Sequence, residues 1–282
     1  FFDCHGDRTL MSRDEVIGNL EGLAAKINEV QPDILFLQEV DVESKRSAYV
    51  DQVQWLLDHT DLSYGVYASQ WKADFIPSDG LGRMDSGNAI LSRWPLADAV
   101  RIALPLIGEH DALTRYFYLK RNILKARVEV GGALLLLVTH TSAYSQDGTK
   151  KRQLERLTEE ILSLGSEPWI AGGDLNTLPP GSVQQHAFPD SVCTHEDFIA
   201  DDYREESDWL EPLYALGASA IPLALYAADN SPWFTHTTDG AGFWNRKLDY
   251  LFTSLPVVPD SGVVYQTGYA SHLPTMPLSD HA

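Results

Sequence analysis

The sequence predicts an α/β fold, and three observations carry that reading. Amphipathic stretches with helical spacing alternate with short apolar runs, the pattern of helices covering sheets. Two segments, "INEVQPDILFLQEVD" and "LSLGSEPWIAGGDLN", share one design. Each runs from a helix end through a proline-bearing turn into an apolar strand that ends on an acid, and two such halves bring Glu39 and Asp174 to one edge of a sandwich. Hydrophobic residues make up 44% of the 282, enough to bury a core. No Pro/Gly/Ser-rich linker divides the chain, so residues 1–282 read as a single domain.

The elements follow in order. Ser12 with Glu15 three residues on is a capping box, and Val16, Leu20, Leu23, Ala24, Ile27 and Val30 then recur at helical spacing until Pro32. Residues 34–37 are a continuous apolar run, suited to a strand buried on both faces and ending in Gln38-Glu39. Residues 45–59 predict a second helix with Tyr49, Val53, Leu56 and Leu57 inward. Strand-like runs follow at 64–68, 88–91, 99–103 and 116–130, with an exposed loop at Asp79-Gly80 and Gly82. Residues 133–139 form a buried strand ending in His140; residues 149–164 predict a helix with Leu154, Leu157, Ile161 and Leu162 inward. A strand at 168–171 leads into Gly172-Gly173-Asp174, and another covers 246–253. Residues 182–232 are acidic and irregular, with no readable element.

The formal net charge of -19 opposes long polyanions and anionic membranes. It leaves open a small phosphate ester, because a divalent ion reverses the sign inside a pocket. No run approaches the roughly 18 apolar residues of a membrane span, so the chain reads as soluble. We expect a monomer. Two cysteines, Cys4 and Cys193, leave the redox compartment open, as one disulfide or as two free thiols.

Glu39, His140, Asp174, Asn176, Asp249 and His281 all lie at or just beyond apolar strands, with Asp280 beside the last. Rigid strand ends can aim side chains into one cleft. Carboxylates gathered there repel one another unless a cation joins them, and oxygen donors favour Mg²⁺, Mn²⁺ or Ca²⁺. Each residue also has a bland reading. Glu39 alone is a turn residue or cap, Asp174 a turn cap, and His140 a satisfied core histidine. Asp249 resists that treatment, because a buried carboxylate needs a partner. Arg121 and Lys125, on one face of a strand, suit either substrate phosphate or solvent. Lys150, Lys151 and Arg152 read as exposed surface, and Trp209, Trp233, Phe234 and Trp244 as core packing or a hydrophobic rim.

Taken together and in order, "LFLQEVD", "GNAILSRWPL", "LLVTHTSA", "GGDLN", "RKLDYLF" and "SDHA" resemble the endonuclease/exonuclease/phosphatase superfamily, from residue 34 to 281. The resemblance implies a four-layer α/β sandwich with two packed mixed β-sheets flanked by helices, as in DNase I. It also implies a metal-dependent phosphoesterase working with Mg²⁺ or Mn²⁺. Glu39 and Asp280 would hold the metal. Asp174 would deprotonate the attacking water, Asn176 would position it or the phosphate, and Asp249 would hold His281 against a phosphate oxygen. His140 would donate to the phosphate or act as general acid.

Phosphodiesters come first as substrates; phosphomonoesters, sphingomyelin-like lipids and an inactive binding module on the same fold are the alternatives. Nucleic acid is disfavoured by charge. The signature of inositol polyphosphate 5-phosphatases is missing: Thr177-Leu178-Pro179 follows Asn176, and Phe243-Trp244-Asn245-Arg246 only echoes their second motif. Relative to the family, the chain is expected to lack its two terminal strands, because it starts past the strand whose Asn supports the metal and stops soon after the "SDH" motif. His5 or Asp7 would be the stand-ins for that Asn.

Overall fold

The structure is a computed structural model and describes residues 8–143, 145–188, 202–237, 244–266, 275 and 277–282. Cys4, His5, Asp7 and Cys193 lie outside the described residues. The architecture is mixed α/β, with two β-sheets flanked by helices. Its contacts divide the chain into two compact units that meet in sequence between His140 and Thr141.

The first unit opens with α1 (Arg13–Val30), whose capping box joins Ser12 and Glu15, and which closes on Gln31 in a left-handed conformation just before Pro32. A three-stranded antiparallel sheet follows, in the order β1 (Ile34–Asp41), β3 (Gly82–Ser92), β2 (Tyr64–Ile76). The helix expected over 45–59 is split. A 3-10 turn (Lys45–Ser47) comes first, Ala48 and Tyr49 then take left-handed φ, and α2 (Gln52–His59) restarts on the Asp51 cap. Tyr49 is therefore exposed, while Val53 and Leu56 join Val16, Leu20 and Ala24 of α1 in a core against Ala89 and Leu91 of β3.

The rest of the first unit is β4 (Leu96–Ala103), α3 (Ala112–Phe117), β5 (Asn122–Glu129) and β6 (Ala133–His140). β4, β5 and β6 pair antiparallel in that order, and β5 and β6 pack face to face with β1, β2 and β3. The strand expected over 116–130 is shorter because Asp111 caps a helix that takes up Tyr116. Arg121 does not lie on a solvated face; it is buried and donates to Gln70 Oε1 at 3.2 Å.

The second unit holds α4 (Thr149–Ser163), β7 (Trp169–Asp174), α5 (Glu211–Leu216), β8 (Ala218–Ser219), α6 (Leu223–Ala228) and β9 (Asp249–Thr253), with β9 between β7 and β8. Leu154, Leu157 and Ile161 of α4 are buried as expected, but Leu162 is exposed, since it is turned off the stripe those three define. The stretch 182–232 is partly helical: α5 and α6 have 6 residues each, too short to leave a periodic trace in sequence. Trp244 is buried, whereas Trp209, Trp233 and Phe234 are half-buried.

Candidate functional site

In the first unit, Glu39 does not end its strand as expected. β1 continues to Asp41 through a β-bulge, in which Gln38 and Glu39 together face Asn88, between the pairs Leu37–Ala89 and Val40–Gly87. Glu39 takes φ 58°, a conformation that costs a non-glycine residue energy and that a bulge imposes. The bulge re-aims the side chain, leaving it 57% exposed, with His140 Nδ1 3.8 Å from its Oε1. His140 itself is buried. Just beyond, Arg46 donates to both Asp41 oxygens at 2.9 and 3.0 Å and to Ser86 Oγ at 3.2 Å. Burial disfavours its charge, yet Asp41 and then Glu39 hold the guanidinium pKa above its ordinary value.

In the second unit, the glycine pair of "GGDLN" has a structural cause. A Cβ on Gly172 would stand 2.1 Å from the Tyr250 carbonyl oxygen of the neighbouring β9, and Gly173 has φ 125°, open in practice to glycine. This close strand pairing carries Asp174 opposite Asp249 at the end of the ladder. Asp174 is buried and accepts from the backbone N–H of Asn176 at 2.9 Å and from its Nδ2 at 3.2 Å. Asn176, at φ 48°, also donates from Nδ2 to Thr141 O at 3.0 Å. The Asp174 carboxylate is thus held by two donors with its orientation set.

The expected Asp249–His281 hydrogen bond is present: His281 Nδ1 lies 2.7 Å from Asp249 Oδ2. His281 Nε2 points toward Asp174, 3.9 Å from its Oδ2. Burial works against charge on this ring, but Asp249, Asp174 and Asp280 outweigh it and raise its pKa well above the ordinary histidine value. Thr235 Oγ1 fixes the Asp249 strand by accepting from the N–H groups of Leu248 and Asp249 at 3.0 and 3.1 Å.

Two lysines belong to this constellation. Lys150, expected at the surface, is 1% exposed. Its Nζ donates to Asn176 O at 2.6 Å and to both Glu206 oxygens at 2.8 and 3.0 Å, and it lies over the Tyr203 ring. Sequence pattern alone misses it because Glu206 is 56 residues away. Lys151 and Arg152 are exposed, as expected. Lys247, inside "RKLDYLF", donates to Asp249 O at 2.6 Å, and burial lowers its pKa to about 8. The missed histidine is His236, whose ring stands 4.5 Å from that of His281.

Each expected metal ligand carries the oxygen donors that a hard divalent ion takes: in the first unit the Glu39 carboxylate is exposed, and in the second Asp280 lies at the bend before His281. Among the described residues, His236, Asp280 and His281 have ligand atoms within 4.8 Å of one another. No helix among the described residues is long and apolar enough to cross a membrane.

Solved structures share the fold. An endonuclease/exonuclease/phosphatase protein from Beutenbergia cavernae DSM 12333 matches with TM-score 0.56 and 19% identity, over 93% of this chain and 64% of its own. The human Nocturnin catalytic domain with bound sulfate matches at 0.54 and 19%, over 97% and 88%. TDP2 from D. rerio, in complex with a single-stranded DNA product, matches at 0.54 and 16%, over 86% and 80%. No curated protein matches by sequence. The sequence model of the Endonuclease/Exonuclease/phosphatase family matches residues 18–281, and the chain belongs to that family.

Proposed function

We propose that the chain is a divalent-metal-dependent phosphodiesterase that cleaves its substrate by in-line attack of an activated water. The observation that carries this reading is the orientation of Asp174 and His281 by separate partners: Asn176 fixes the carboxylate, and Asp249 fixes the ring at 2.7 Å. An acid held by two donors suits taking a proton from water. A histidine backed by a carboxylate suits meeting negative charge.

In this scheme Asp174 orients and deprotonates the water, and Asn176 positions that water or the phosphate. His281, held as imidazolium by its acidic neighbours, donates from Nε2 to a non-bridging oxygen as charge builds there. His140 donates to the phosphate or protonates the leaving oxygen. Glu39 and Asp280 are the ligands of Mg²⁺ or Mn²⁺, an ion that when bound neutralises phosphate charge. With a net charge of -19, small phosphodiesters suit the chain better than long nucleic acids.

Hydrolysis of bis-p-nitrophenyl phosphate tests the reading. Turnover is expected with Mg²⁺ or Mn²⁺ and abolished by EDTA. Full turnover in excess chelator would overturn the metal requirement, and no turnover with either ion would overturn the enzyme. Plasmid DNA, sphingomyelin and nucleotide monoesters, run beside it, separate the substrate classes.

A further inference from the structure

The proposed reaction gives His281 a task and leaves His236 without one. The two are cross-strand neighbours. Thr237 N donates to Asp280 O at 3.2 Å and Ala282 N donates to Thr235 O at 2.8 Å. Those bonds flank the pair, so His236 and His281 occupy a non-hydrogen-bonded antiparallel position, where facing side chains come closest. Their rings are 4.5 Å apart with planes tilted by 43°. Asp280 precedes His281 at a bend, and one ligand atom from each of the three side chains lies within 4.8 Å of the others.

We propose that His236, Asp280 and His281 form a site for a borderline divalent cation of the zinc class, and that filling it withdraws His281 from catalysis. Two imidazole nitrogens and one carboxylate oxygen are a donor set that zinc takes with a fourth position open, whereas Mg²⁺ prefers oxygen alone. Asp249 occupies His281 Nδ1 at 2.7 Å, which leaves Nε2, 3.9 Å from Asp174 Oδ2, as the ligating nitrogen once its proton passes to solvent. A carboxylate behind a ligating histidine fixes ring orientation and raises ligand basicity. Ligands about 2.0–2.1 Å from a tetrahedral ion stand roughly 3.3 Å apart, so atoms that lie within 4.8 Å of one another have about 1.5 Å at most to close.

The binding claim stands on the three side chains; the inhibition claim rests on the role proposed for His281. Zinc would occupy the Nε2 that otherwise meets the phosphate oxygen. The site shares Asp280 with the ligands proposed for Mg²⁺ and differs from them in using His236 and His281 and in the softness of those donors.

Co²⁺ is the probe, since tetrahedral nitrogen–oxygen coordination gives visible absorption bands. The full chain is titrated with Co²⁺ in excess Mg²⁺, with His236→Ala and Asp280→Asn in parallel and the melting temperature of each recorded. One tight Co²⁺ per chain is expected, weakened tenfold or more in both variants. No visible band, or equal affinity in wild type and both folded variants, would overturn the site. Zn²⁺ is then added to the Mg²⁺-driven hydrolysis of bis-p-nitrophenyl phosphate. Inhibition that moves to at least tenfold higher Zn²⁺ in His236→Ala supports the whole proposal. Tight Co²⁺ binding without inhibition would keep the site and overturn the role of His281 Nε2 in the reaction.

Discussion

Lys150 Nζ donates to the backbone carbonyl of Asn176 at 2.6 Å while Glu206 clasps the same ammonium at 2.8 and 3.0 Å. A buried ion pair therefore sits directly behind the residue that holds Asp174. Both partners are buried, Lys150 at 1% and Glu206 at 7% exposure. Neither touches the reacting atoms in the proposed scheme, so both are positioning residues.

Breaking this pair from one side is costly, because the remaining charge stays buried. Lys150→Met is expected to lose about 3–5 kcal/mol of unfolding free energy. In the folded fraction, kcat should fall more than KM rises, since Asn176 and Asp174 lose their support rather than the substrate its contacts. Lys150→Arg should not restore kcat, because a planar fork cannot reproduce the point donor at Asn176. Urea unfolding beside steady-state kinetics checks both; an unchanged kcat in Lys150→Met would show that the pair supports stability alone.

The chemical assignments make a sharper demand. Asp174→Asn keeps the shape of the side chain but removes the base, and His281→Ala removes the donor to phosphate. Each is expected to cut kcat by roughly two orders of magnitude or more. Asp249→Asn should act through His281, by loosening its ring and lowering its pKa, and so fall short of the His281→Ala loss. Near-normal kcat in Asp174→Asn or His281→Ala would remove that residue from the mechanism.

The glycine pair offers a test that involves no chemistry. Gly172→Ala forces a Cβ to within 2.1 Å of Tyr250 O unless β7 and β9 separate. Backbone cannot rotate away as a side chain can, so a loss of about 1–3 kcal/mol is expected, the scale of overpacking in a tight core. The ladder that brings Asp174 opposite Asp249 would be displaced with it. A variant as stable as wild type in urea, with unchanged kcat, would mean the strands have slack that this pairing does not suggest.

Much of this arrangement is legible in sequence, and the exceptions have physical causes. The helix Arg13–Val30 and the strand Ala133–His140 emerge where expected, because a capping box and an unbroken apolar run are local signals. Asp249 and His281 meet as their motifs imply. The bulge at Glu39 is not legible, since it depends on β3 supplying one residue against two. The break between Lys45–Ser47 and α2 hides behind a continuous helical pattern, because Ala48 and Tyr49 carry no glycine to announce their left-handed φ. Lys150 resembles any other surface lysine until Glu206 and Asn176 fold onto it. His236 is invisible for the same reason, its partner being set by strand pairing and not by spacing.

Lys247 supplies the pH test. Its ammonium is buried at 3% exposure and donates to Asp249 O, and burial lowers its pKa from 10.5 to about 8. Between those values the unfolded chain binds a proton that the folded chain does not, so stability rises with pH across that window. Below about pH 8 both states are protonated and the full cost of burying the charge is present, roughly 3 kcal/mol from the gap between the two pKa values. Lys247→Met removes the titrating group and with it this slope, while giving up the hydrogen bond to Asp249 O. The wild-type minus Lys247→Met difference in unfolding free energy should therefore become more favourable to wild type from about pH 8 to 10.5, and stay flat from about pH 6 to 7.5. Subtraction cancels the buried tyrosines Tyr214 and Tyr226, whose raised pKa values act on both proteins at the alkaline end. A difference that is flat across the whole range would mean that Lys247 keeps an ordinary pKa in the folded chain.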